Sequence, residues 1–436
     1  MISSVPGRMT PLWSAALLAC GALLPAWAQD STPALPPDAT PTTTTAAAAG
    51  PRTAADLAEA VEAAWQRAAE SREAEALRRR AEAGRIVVGS TWAAPPAFEL
   101  SRREKRWDGG AGQGSETEAG LALPLWMPDQ REARLAVSDA EGRLAGAAAR
   151  AGRLQIAGRV REAAWRIAAE QALHETQAAQ AGLFERLAQD VQRRVAAGDL
   201  ARADALAAQA EWLDAQEALA GAIQRLTEAR SQWRVLAGLD DVPVPPATSG
   251  APQATPQALP SLHPDLQLAE LTVEHAQRNL DAVRKDRRDP PELLLRLRRD
   301  APGAVGGSQN SVGIGVRIPF GTDARNAPLQ AAALSAADSA QLALARTRER
   351  LGAAEQMARS GLRAAEAQHD ASRTRAALLR ERAGLVQRSF DAGETPLPEL
   401  LRVLSAAAQA EAALARRQAA LGLAQARLQQ ALGILP

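Results

Sequence analysis

The sequence predicts a mostly α-helical protein with a small β part, built as two structural copies of one unit. A repeat predicts this first. Everything from Gly120 to Leu239 recurs 195 residues later without a gap: Gly120 maps to Gly315, Pro124 to Pro319, His174 to His369, Gly198 to Gly393 and Gly238 to Gly433. Such self-similarity decides the architecture before any local motif does. Helix length comes next. Asp129–Ala197 contains no proline, and 69 residues make a helix roughly 100 Å long at 1.5 Å per residue. That is a coiled coil or a barrel stave, not a globular helix. The last observation is that short alternating apolar stretches precede each long helix.

The elements follow in order. Residues 1–28 read as an export signal: Arg8, a mostly apolar Pro11–Leu24, and the cleavage site Ala26-Trp27-Ala28. The only cysteine, Cys20, lies inside it; the rival reading is a lipoprotein signal with Cys20 lipidated. With the signal removed, the chain has no thiol for a disulfide, a metal or catalysis. Residues 29–51, rich in Pro, Thr and Ala, form a disordered lead-in. Residues 52–239 are the first repeat. It opens with a helix over Ala54–Ala83, then strands near 85–95 and 115–126 separated by an exposed, charged loop over Pro96–Gly114. Gly198 ends the long helix, and a returning helix carries Leu219, Ile223, Leu226 and Trp233 at coiled-coil spacing. Residues 240–264 are a Pro-rich linker. Residues 265–436 are the second repeat, with strands near 292–299 and 311–320 and helices over Ala327–Ala392 and Pro398–Leu432.

The clearest strand alternates Val312, Ile314, Val316 and Ile318 with Gly313, Gly315 and Arg317. Aliphatics on one face and Gly or Arg on the other fit lipid outside and a wet lumen inside. Four strands cannot close a barrel, since small closed barrels need about eight. The open edges must therefore meet other copies of the chain. Three chains would supply a 12-stranded barrel, four strands from each, continuous with a barrel of long helices. Past the signal, no run approaches the ~20 apolar residues of a spanning helix, so a membrane would be crossed only as a barrel.

Composition excludes several functions. Net charge is +1, too small a field to suggest nucleic acid. Aromatics are 3% and tyrosine is absent. No G-x-S-x-G, Walker loop, H-E-x-x-H or Cys-His pair is present, so no enzyme, cofactor or metal site is expected. His174 and His369 each sit in a polar stretch without paired-ligand spacing, as solvated helix surface does. Trp126, Trp165, Trp212 and Trp233 suit helix seams or the membrane interface.

At this point the residues carry a resemblance. The segments RVAAGDLARADALAAQAEWLDAQEAL and SFDAGETPLPELLRVLSAAAQAEAAL, with LPLWMPDQREA and IPFGTDARNAP, resemble the outer membrane efflux proteins of the TolC family. The resemblance covers about Ala54 to Pro436. It implies a trimeric channel whose β-barrel lies in the outer membrane of a Gram-negative bacterium and whose helical barrel reaches into the periplasm. It also implies a periplasmic adaptor (a membrane fusion protein) and an inner-membrane pump of the RND type as partners. His263-Pro264-Asp265-Leu266 is similar to the opening of the heavy-metal branch typified by CzcC. By the same resemblance, the turns at Gly198-Asp199 and Gly393-Glu394 are tips that dock the adaptor. Asp204, Glu399 and Arg402 then stand at the periplasmic entrance, and Arg402 replaces an acidic family position. The alternative for Glu399 and Arg402 is an ordinary i,i+3 surface pair. Two further alternatives hold for the whole chain: a type I protein secretion duct, and a secreted coiled-coil adaptor or scaffold without a pore. The exported cargo leaves no trace in the sequence.

Overall fold

The computed structural model describes residues 56–106, 113–243, 263–301, 307–320 and 323–436. The signal segment with Cys20, the lead-in and most of the Pro-rich linker lie outside these residues. Two helices come first, α1 (Leu57–Arg67) and α2 (Ala69–Gly89), followed by the hairpin β1 (Ala97–Arg106) and β2 (Gln113–Pro124). The long helix α3 (Pro128–Ala197) runs down to a tip, and α4 (Arg202–Ala237) returns from it. The second copy repeats this plan: α5 (Pro264–Lys285), β3 (Glu292–Ala301), β4 (Gln309–Arg317), α6 (Asp323–Asp391) and α7 (Leu397–Ala431).

The duplication reaches further than the recurring residues do. Ala69 and Pro264 open α2 and α5, Ala97 and Glu292 open β1 and β3, Pro128 and Asp323 open α3 and α6, and Arg202 and Leu397 open α4 and α7. Each pair keeps the 195-residue offset. The offset therefore extends about fifty residues upstream of Gly120, into α2 and β1.

Three expectations need correction there. The strand expected near 85–95 is not one: Arg85–Gly89 is the last part of α2. β-Branching at Ile86-Val87-Val88 gives way to tertiary capping. Arg131 of α3 donates from Nε to Val88 O at 3.1 Å and from Nη2 to Gly89 O at 3.4 Å, satisfying carbonyls that a helix end leaves open. Arg85 pairs with Asp139 at 2.7 Å, and Val88 turns inward. Within the stretch expected as a loop, Ala97–Arg106 is β1 and Gln113 opens β2, while residues 107–112 lie outside the described residues. The expected first helix is also two helices, because Ala68 adopts an extended conformation between them.

The sheet order is β1-β2-β3-β4, all antiparallel, so the two copies join through β2 and β3. Its register separates two faces. On one, Phe98, Leu121, Leu295 and Ile314 form a row, beside a second row of Leu100, Ala119, Leu297 and Val312. Phe98, Leu100, Val312 and Ile314 are exposed by 67–79%. On the other face, Arg296 lies 3.7 Å from Glu118, Arg298 lies 3.0 Å from Glu116, and Arg317 lies 2.8 Å from Glu292. Strands β1 and β4 are both open edges.

Below the sheet, α3 packs along α2 and then α4 on one flank and along α5 and α7 on the other; α6 packs on α5 and α7. Each long helix is thus matched by two short ones laid end to end. The α3–α7 seam is close. Trp165 covers Gly422, and Gln430 covers Gly158 and donates to Leu154 O at 2.8 Å. Arg161 is buried here and donates to Gln430 Oε1 at 3.0 Å and to Ile434 O at 2.8 Å; burial lowers its pKa. A second glycine contact, Gly152 under Trp65, brings α1 onto α3. No helix among the described residues is long and apolar enough to cross a membrane.

Candidate functional site at the helical tips

Both tips are built the same way. Gly198 ends α3 at φ 88°, and Gly393 follows α6 at φ 80°. Glycine takes this left-handed conformation without the steric penalty that a Cβ brings. Asp199 N donates to Arg194 O and Glu394 N to Ser389 O, each at 2.9 Å, closing the last helical turn. The carboxylates of Asp199 and Glu394 then sit near the start of a returning helix, where negative charge is favoured.

The two tips are held side by side. Phe184, Leu187 and Val191 of α3 share one apolar cluster with Phe390 and with Leu397, Leu400 and Leu401 of α7. Arg194 pairs with Asp190 at 2.9 Å, reaches Asp391 at 3.8 Å, and lays its guanidinium 5.0 Å from the Phe390 ring centre. Higher up, Ser405 of α7 donates to Glu211 of α4 at 2.8 Å.

Asp204 and Glu399 occupy equivalent positions but work differently. Asp204 accepts from Ala201 N at 3.2 Å while its own N–H donates to Ala201 O at 3.0 Å, capping α4. Glu399 is clamped by two arginines. Arg402 donates to its Oε2, with Nε at 3.0 Å, and Arg382 of α6 donates to its Oε1 at 3.0 Å. The Arg402 hydrogen bond, opposed by partial desolvation and aided by the charges of Arg402 and Arg382, holds the Glu399 carboxyl below its usual range. Sequence reasoning missed Arg382. Its signal lay in the hairpin: counted outward from Gly393, the antiparallel helices bring positions before and after the turn together. The positions in the first copy that match Arg382 and Arg402 are Leu187 and Ala207. Only the second tip therefore carries this charged trio.

The histidines divide by role. His263 caps α5, its Nδ1 accepting from Asp265 N at 3.1 Å, with Pro264 in the first turn. Burial lowers its pKa, and a Cβ on Gly433 would meet its ring. Capping thus accounts for the His-Pro-Asp motif. His369 Nδ1 lies 3.3 Å from Asp370 Oδ1. Among the described residues no cluster of His, Cys, Asp and Glu is placed to hold a metal ion.

Comparison with known proteins fits this geometry. Residues 255–434 match the family model "Outer membrane efflux protein". No curated protein sequence matches the chain. Three solved structures resemble it closely in fold. The outer membrane protein VceC from Vibrio cholerae superposes with TM-score 0.69 at 16% identity, covering 86% of this chain and 96% of that one. A membrane protein from Pseudomonas aeruginosa gives 0.69 at 19% identity over 88% and 91%. The outer-membrane channel OprN gives 0.70 at 18% identity over 86% and 89%. Residues 255–434 thus resemble the outer membrane efflux protein family, and both repeats of the chain together carry the fold of the TolC-like channels.

Proposed function

We propose that the protein is the outer-membrane exit duct of a tripartite efflux system, a trimer fed by an inner-membrane pump through a periplasmic adaptor. The two-faced sheet carries this proposal. One face exposes Phe98, Leu100, Val312 and Ile314 without cover, while the other pairs Arg296, Arg298 and Arg317 with carboxylates. Exposed aliphatics of that density suit hydrocarbon, and a paired, charged face suits a wet lumen. A coiled-coil scaffold without a pore has no use for such a sheet. The duct needs no catalytic group.

The open edges set the assembly. β1 and β4 each lack a partner, and α6 exposes Leu334, Leu342, Leu378 and Leu385 on the flank opposite to α2 and α4, which expose Ile86, Leu206 and Leu213. Joining β4 and α6 of one chain to β1, α2 and α4 of the next continues both sheet and stave in one sense. Three chains give twelve strands. Native mass spectrometry of the detergent-extracted protein tests this. A trimer is expected, and a stable monomer would contradict it.

The tips are the adaptor-docking surface: Gly198-Asp199 and Gly393-Glu394 present acidic turns at the end farthest from the sheet. Glu399, Arg402 and Arg382 form the constriction at the entrance. Three such trios make a salt-bridged ring, not a purely acidic one. Glu399→Ala with Arg402→Ala is expected to raise single-channel conductance, and an unchanged conductance would leave an ordinary surface pair. The pH dependence has a defined sign. Because the folded pKa of Glu399 is lowered, the clamp's contribution is present above the unfolded carboxylate value of about 4.3. It is lost only as pH falls through the lower folded value. Conductance attributable to the clamp is therefore expected to stay constant from neutral pH to about pH 5 and to rise only in stronger acid.

The cargo class is set by the pump. The same architecture would serve a protein-secreting partner.

A further inference from the structure

Arginines stand on both faces of the sheet. On the lumen-side face Arg296, Arg298 and Arg317 have carboxylate partners, while Arg103, near the hairpin end, makes no ion pair among the described residues. On the apolar face the row next to Leu100, Ala119, Leu297 and Val312 is Arg102, Thr117, Arg299 and Asn310. Arg102 and Arg299 are exposed, and among the described residues neither makes an ion pair or hydrogen bond. Glu104, one row nearer the hairpin end on the same face, pairs with neither.

The position of this row is specific. It closes the apolar band at the hairpin end, away from the helices. At the opposite end the band runs out through Ile318 to Phe320, the latter 92% exposed. Arginine on a lipid-facing strand is costly at mid-bilayer and nearly free at the interface. An unpaired guanidinium there still needs an anionic partner, and its fork matches phosphate bidentately. Neighbouring strands lie about 4.8 Å apart, so the backbones of Arg102 and Arg299, one strand removed from each other, stand about 10 Å apart. Thr117 between them and Asn310 beside them add hydroxyl and amide donors.

From this geometry we infer that Arg102 and Arg299 form a rim that binds phosphate groups on the headgroups of outer-leaflet lipid. The inference rests on the membrane-duct function proposed above and adds a ligand class to it. In a trimer the rim occurs three times and fixes the height of the barrel in the bilayer.

Bisphosphorylated lipid A and its dephosphorylated form are the probes, read by native mass spectrometry on the full-length protein. The wild type is expected to retain the phosphorylated lipid preferentially. Arg102→Gln and Arg299→Gln should each weaken it about fivefold, and together about twenty-five-fold, from about 1 kcal/mol per basic residue at a charged membrane surface. Equal retention of the dephosphorylated lipid, unchanged binding by the double variant, or full displacement by millimolar inorganic phosphate would overturn the rim. Conductance of the same preparations should be unaffected by either substitution. Protein that binds phosphorylated lipid selectively but does not conduct would contradict the duct while leaving the rim in place. Protein that conducts but ignores phosphate would overturn the rim alone.

Discussion

Gly422→Leu is expected to destabilise the protein strongly, because Gly422 is where α7 passes beneath Trp165 of α3. A Cβ there would lie 2.0 Å from Cη2, 2.2 Å from Cζ3 and 2.4 Å from Cζ2 of the indole. All three are far inside van der Waals contact, so the ring must leave its place or the helices must part. Overpacking of this kind costs about 1–3 kcal/mol, and leucine adds three more carbons to the conflict. The seam has little slack, since Gly158 is similarly pressed by Gln430, whose Cδ would lie 3.0 Å from a Cβ. Thermal unfolding of the extracted protein measures the loss. Trp165→Leu combined with Gly422→Ala should recover most of it, as partners in contact couple non-additively. Equal midpoints for Gly422→Ala, Gly422→Leu and the wild type would show that the two helices do not meet here.

Gly393→Pro should abolish export while leaving trimer and membrane insertion intact. Proline fixes φ near −65°, and Gly393 stands at +80°. The substitution also removes the N–H that donates to Phe390 O at 2.9 Å. The α6–α7 reversal cannot survive both losses, and Phe390 leaves the cluster that joins the tips. Gly393→Ala keeps the N–H and pays only the left-handed penalty, about 1–2 kcal/mol, so it should retain partial export. The sheet lies at the far end of a 69-residue helix and is not involved. Export in cells, read beside trimer content of the outer membrane, checks the pair. Loss of the trimer itself would contradict the tip assignment.

Much of this architecture was legible in the sequence because duplication writes it twice. The offset that maps Gly198 onto Gly393 returns both tips at positive φ, and the glycines that end α4 and follow α7, Gly238 and Gly433, at 71° and 74°. The error at β1 is instructive for the same reason. The strand over 292–299 was plain from its leucines, and moving it back by 195 residues lands on 97–104, inside β1. Local composition pointed elsewhere. Ile86-Val87-Val88 has strand propensity, but Arg131 of α3 caps its carbonyls as helix. The stretch Arg102 to Arg106 has loop composition because it sits at the polar end of a strand. Neither fact is local. Arg382 stayed hidden because its partner Glu399 is reached across a hairpin, and the Glu399 clamp was visible only as far as the i,i+3 neighbour Arg402.

The single-channel conductance of the purified trimer in a planar bilayer tests the central claim most directly. Discrete, uniform conductance steps from a twelve-stranded assembly are the expected result. Protein that remains water-soluble as a monomer or dimer and produces no steps would mean that the two-faced sheet does not close into a barrel, and the duct function would fall with it.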